Sequence, residues 1–181
     1  MQHIVDNYKK QLLFLVSLIL VWIGWYILND VLVEINLFKR FWLFLYHIIL
    51  RSIIVPSSLI LENVFGMENI YTYREIFFLK GGRVEIANNC LGLSLMYIYS
   101  MFIAVFPIKA IKLKIIYILI GIVIIDLLNL IRVVALSLIS RHAPQYLDIN
   151  HYYVFNIITY SAVFFMWVIW MIKVAKKELN K

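Results

Sequence analysis

Apolar runs long enough to cross a bilayer follow one another along this chain with little between them, and that succession limits the fold more than any motif does. About 20 consecutive apolar residues span the hydrocarbon core of a membrane as a helix. Several such runs fit within 181 residues here, leaving no room for a separate soluble domain. The chain is 64% hydrophobic and 15% charged, whereas soluble domains are roughly half apolar and a quarter charged. The expected architecture is a single all-α integral membrane domain over residues 1–181.

The first run, 11–28, follows Lys9 and Lys10 and has no small-x-small cleavage site after it. It is expected to be an uncleaved anchor helix rather than a secretory signal. Residues 37–65 are apolar but interrupted by His47, Arg51, Ser52, Pro56, Ser57 and Ser58. An aromatic face with an embedded arginine suits the membrane interface, so an amphipathic or re-entrant helix on the outer face is expected there. Residues 71–90 read as an extracytoplasmic β-hairpin, with Gly81-Gly82 between two short β-prone runs. Glycine pairs tolerate the positive φ angles that tight hairpin turns require. Runs at 91–107, 115–139 and 151–172 complete an expected total of about four transmembrane helices.

The net charge of +7 is distributed beside the apolar runs, where it orients helices and meets anionic lipid head groups. That placement argues for membrane lipid and against nucleic acid as a partner. Cytoplasmic loops are enriched in Lys and Arg. Lys109, Lys112 and Lys114 in one loop, and Lys173, Lys176, Lys177 and Lys181 in the carboxyl tail, are therefore expected inside. Residues 71–90 and 140–150 then face outward from the cytoplasmic (inner) membrane.

In that topology three chemically unusual residues converge on the outer face. Cys90, the sole cysteine, opens the 91–107 run, His151 opens the last run, and Arg132 lies near the outer end of 115–139. Arginine inside a span costs several kcal/mol on insertion scales and normally faces the bundle interior for a reason. Asn129 is three residues before Arg132 and shares its face, while Asp126 is a candidate partner for Arg132 or for another helix. A thiolate is the reactive form of cysteine, and neighbouring cations lower its pKa. Histidine supplies acid and base in turn, and a fixed arginine can stabilise an oxyanion. Together Cys90, His151 and Arg132 describe acyl transfer through a thioester.

These residues resemble the exosortase/archaeosortase family of membrane-embedded cysteine transpeptidases. The resemblance rests on Cys90-Leu91-Gly92-Leu93, Asn129-Leu130-Ile131-Arg132 and His151, in that order, and covers about residues 85–170. The family usually has Ser or Thr where this chain has Leu91, which marks a divergent, short member. The resemblance implies a peptidase that cleaves the carboxyl-terminal sorting tail of secreted proteins, a tail built of a short motif, an apolar helix and a basic end. It implies Cys90 as nucleophile, Arg132 and His151 as its partners, and a glycan- or lipid-type acceptor or water for the acyl group. No metal or cofactor is required by that chemistry, and His3, His47, His142 and His151 show no metal-ligand spacing. The hairpin and the 37–65 helix are expected to roof the cleft. The competing reading from another class is a non-enzymatic membrane protein, either a small transporter using Asp126 and Arg132 as midplane charges or an assembly scaffold.

Overall fold

A computed structural model describes residues 16–17, 19–28, 35–106 and 110–175. The flanking lysines at 9–10 and 176–181, and part of the 11–28 run, lie outside the described residues. The fold is mostly helical with one small sheet. Helix α1 covers Ile19–Leu28 and α2 covers Asn36–Asn63. Strands β1 (Asn69–Tyr71), β2 (Glu75–Phe78) and β3 (Arg83–Glu85) follow. A tight 3-10 turn, Asn88–Leu91, leads into α3 (Leu93–Val105), and α4 covers Ile111–His142. A helical lead-in beginning at Pro144 then runs into α5, which is regular over Phe155–Ile169.

Among the described residues three helices are long and apolar enough to cross a membrane: Phe38–Asn63, Ile111–His142 and Pro144–Lys173. On α4, Ile116, Leu119, Ile120, Val123, Leu127 and Ile131 are each at least half exposed. They recur every three or four residues, which places them on one broad face. Water penalises such a stripe, and acyl chains do not.

Two helix lengths bear on how the bundle is built. The 37–65 run gives one helix of 28 residues, Asn36–Asn63, continuous through the polar residues that interrupt its apolar pattern. The polar residues read as breaks are absorbed by packing. Ser57 and Ser58 are buried, Ser58 Oγ donates to Asn69 Oδ1 at 2.6 Å, and Ser52 Oγ donates to Ile49 O and Asp126 Oδ1 at 2.8 and 3.0 Å. Conversely, the 91–107 run yields only the 13 residues of α3, about 20 Å at ~1.5 Å per residue. Gly92 holds its start back with a left-handed φ of 66°. At the other end Phe106 is extended, as the residue before a proline tends to be.

The β2–β3 hairpin forms where expected, with Gly81 and Gly82 at φ 91° and 98°. Phe77 pairs with Arg83 and Ile76 with Val84. An additional strand, β1, pairs antiparallel with the other edge of β2, giving the order β1-β2-β3. The sheet lies along the carboxyl half of α2. Leu50, Ile53, Ile54 and Leu61 of that half pack with Ile76 and Ile86 of the hairpin and with Val133 of α4. A second cluster, Met96, Tyr99, Ile103, Ile125 and Trp170, joins α3, α4 and the last helix away from the sheet. The carboxyl ends of α2 and α4, the start of α3 and the lead-in to α5 therefore gather at the sheet end of the bundle.

Candidate active site

At that end the chain must stop being a strand and become a helix within a few residues, and Cys90 sits in the turn that does this. Ala87 is extended, Asn88–Leu91 make the tight turn, and Gly92 reverses into the left-handed region before α3 begins. A Cβ at Gly92 would collide with the Asn129 side-chain amide and crowd Ile125. Asn129 thus rests directly on the Gly92 backbone, tying the cysteine turn to α4. From the other side Arg74 donates to both Tyr46 Oη and Asn88 Oδ1. Its guanidinium carbon lies 5.5 Å from the Tyr46 ring centroid, within cation–π range. Strand, α2 and cysteine turn are latched together at one point.

His151 arrives from the lead-in to α5. Residues Asn150–Val154 form a wide π-type turn, a local unwinding common at functional sites. It brings His151 Nε2 to 3.6 Å from Cys90 Sγ, across 61 residues of sequence. Arg132 holds that turn in place. Its Nη2 donates to His151 O at 2.8 Å and its Nη1 to Asn156 Oδ1 at 3.1 Å. Asn156 Nδ2 in turn donates to Tyr152 O at 2.8 Å. Arg132 thus ties the His151 turn to α4 through both of its terminal nitrogens.

Cys90, Arg132, His151, Asn129 and Gly92 are brought together; Asp126 is not. Six residues before Arg132 on α4, it lies about 120° away around the helix at ~100° per residue and accepts from Ser52 of α2 instead. The thiol also departs from expectation. Cys90 is 3% exposed, and burial pushes its pKa up by more than the Arg132 guanidinium pulls it down.

Two cavities flank His151. One, of about 210 Å³, is lined by Cys90, Arg83, Glu85, Leu136, Asp148 and His151. The hairpin thus forms a wall of the cysteine pocket, as expected, whereas α2 packs behind the sheet. The other, of about 230 Å³, is lined by Ser94, Asn129, Arg132, Tyr152, Asn156 and Tyr160 as well as His151. Among the described residues no three His, Cys, Asp or Glu side chains gather as a metal site.

Sequence reasoning missed Arg74, Asp148 and Asn156. Asn156 was findable, since it and Thr159 are polar interruptions of an apolar run. Arg74 carries no comparable signal in a polar strand segment. Compared with models of protein families, with curated proteins and with solved structures, the chain matches none.

Proposed function

We propose that the protein is a multi-pass membrane cysteine transpeptidase of the exosortase kind, with its active site on the extracytoplasmic face. Its substrates are secreted proteins carrying a carboxyl-terminal sorting tail. The observation that supports this reading best is the Cys90–His151 approach of 3.6 Å, with Arg132 bonded to the His151 carbonyl. A cysteine and a histidine from separate helices, with the base oriented by a third group, match the general pattern of an activated nucleophile.

On this reading the steps are as follows. Sγ of Cys90 adds to the substrate carbonyl carbon as its proton passes to His151 Nε2. Collapse of the tetrahedral intermediate breaks the C–N bond, and the departing tail amine takes the proton from His151. The thioester left on Cys90 is attacked by an acceptor amine, hydroxyl or water, which gives its proton to His151. The C–S bond breaks and the proton returns to sulphur. A sorting tail lodged in the bilayer as a helix would carry its motif to the level of the cysteine pocket, where Arg83, Glu85 and Asp148 offer charges of both signs.

The transporter reading has less support, because Asp126 is bonded to Ser52 of α2 whereas Arg132 is bonded to the lead-in of α5. The test compares surface and secreted proteins from source cells lacking the chain, complemented with wild type, Cys90→Ala or His151→Ala. Mass spectrometry of carboxyl termini should find tails removed only with wild type. Identical termini in all strains, with the variants folded and inserted, would move the reading to a scaffold.

A further inference from the structure

A cavity of about 550 Å³ lies between α2 and the β1–β2 connection. It sits at the β1 edge of the sheet, whereas the cysteine pocket lies at the β3 edge. Its volume falls within the ~300–1,000 Å³ of small-ligand sites. The lining holds one guanidinium, Arg51, and no carboxylate. Arg51 is exposed although it lies inside Phe38–Asn63, a stretch apolar enough to cross a membrane. Arg74, Arg83 and Arg132, around the cysteine turn, are all bonded to neighbours. Among the described residues nothing pairs with Arg51. An unpaired guanidinium in a span is costly and marks a partner to be found.

The same face of α2 continues from Arg51 through Ile48, Phe44 and Phe41, at spacings of three, four and three residues, so the four side chains lie in one row. The three apolar ones are 49%, 61% and 55% exposed and form a track ~15 Å long at ~1.5 Å per residue. On the sheet side Tyr71, Thr72 and Tyr73 complete the wall. Tyr73 Oη lies 3.4 Å from His47 Nε2, with the two rings 5.0 Å apart, which closes the cavity against α2.

We propose that this groove holds a glycerophospholipid, its phosphate on Arg51 and an acyl chain along Phe44 and Phe41. Arginine meets phosphate with two parallel N–H···O bonds. A cationic or neutral occupant would leave the guanidinium unpaired, and a soluble phosphate ester would leave the apolar track bare. The polarity of the groove also suits a lipid. Tyr46, beside His47, donates to Asn88 of the cysteine turn at 3.1 Å, so the charged end is level with that turn and the track runs from it toward the amino end of α2. With the proposed orientation this is an outer-leaflet lipid, head group outward and chains toward the bilayer centre. Bound there, it joins α2 to the β1–β2 connection and braces the sheet whose other edge walls the cysteine pocket. The binding uses neither Cys90 nor His151, so it stands or falls apart from the transpeptidase reading.

The test uses the full chain, stripped of lipid in detergent. Thermal unfolding is followed against short-chain phosphatidylglycerol, diacylglycerol of the same chain length, and glycerol 3-phosphate. The expected result is a saturable rise in midpoint with phosphatidylglycerol alone. Arg51→Gln should weaken that binding about tenfold, the scale of a lost hydrogen bond to a charged group. Arg51→Lys, which keeps the charge but not the fork, should weaken it less, and Phe44→Ser severalfold. Arg141→Gln, an exposed arginine at the end of α4, should leave it unchanged. An equal rise with diacylglycerol would reduce the groove to apolar packing, and an equal rise with glycerol 3-phosphate would make it a soluble-ester site; either overturns the proposal. So does the absence of any response, an undiminished response in folded Arg51→Gln, or an equal loss in Arg141→Gln. If Arg51→Gln does not fold, the lysine and serine variants decide, and undiminished binding in both is the overturning result.

Discussion

Burial and a nearby cation pull the Cys90 thiol in opposite directions, and burial is the larger of the two. The sign of the pH dependence follows. Only thiolate alkylates rapidly, so labelling should rise about tenfold per pH unit and level off above the ordinary thiol value of ~8.5. Arg132→Gln removes the opposing cation and should move the midpoint further up, slowing labelling at pH 7. Iodoacetamide rates between about pH 6 and 10, read on the sole cysteine, decide this; a wild-type midpoint below the ordinary value would refute a burial-dominated thiol. Gly92 is the second residue whose chemistry is set by its neighbours. Gly92→Ala places a Cβ against the Asn129 amide in a left-handed backbone, a strain on the order of 1–3 kcal/mol. A lowered unfolding midpoint in detergent, together with faster Cys90 labelling as the turn loosens, is expected. A variant as stable as wild type would mean that Asn129 does not rest on this glycine.

Among the elements, the cysteine turn is held more by what stands behind it than by its own few residues. Arg74 links the start of β2 to Tyr46 of α2 and to Asn88. Hydrogen bonds to charged groups are worth about 1.5–3 kcal/mol, so Arg74→Gln should destabilise by an amount of that order. It should impair tail processing while leaving Cys90 and His151 chemically intact, and Arg74→Lys should not rescue it because one ammonium lacks the planar fork. Rescue by lysine would reduce the latch to a point charge. The latch also illustrates what the sequence could convey. Helical runs, the Gly81-Gly82 turn and the Cys90, Arg132, His151 grouping were legible, because periodicity, turn chemistry and buried charge are local signals. The three-residue β1 and the Arg74 contacts were not, since each depends on partners distant in sequence. Ser58 reads as a break until Asn69 is seen to satisfy it, and Asp126 reads as a partner for Arg132 until Ser52 claims it.

For the whole molecule, the length and packing of α2 bear most on which helices are predicted to cross. The sheet follows α2 and packs on its carboxyl half and on α4, so both helices end on the cysteine side. The amino end of α4, with Lys112 and Lys114, lies at the opposite end, and the charge rule predicts that it faces the cytoplasm. With the proposed orientation, an α2 of 28 residues, about 42 Å at ~1.5 Å per residue, is predicted to begin at the cytoplasmic face and to cross rather than lie on the outer surface. A crossing α2 requires either that α1 returns without crossing or that Lys9 and Lys10 lie outside. Single cysteines introduced into the Cys90→Ser chain test this with a membrane-impermeant maleimide on intact cells. Lys80→Cys and Gln145→Cys should label from outside. Asn36→Cys and Lys112→Cys should label only after permeabilisation. If Asn36→Cys labels from outside while Lys112→Cys does not, α2 lies at the outer interface, and its exposed Phe41 and Phe44 mark insertion depth instead of a lipid-facing wall. Labelling of Lys112→Cys from outside would invert the bundle and put Cys90 in the cytoplasm, where no secreted tail could reach it.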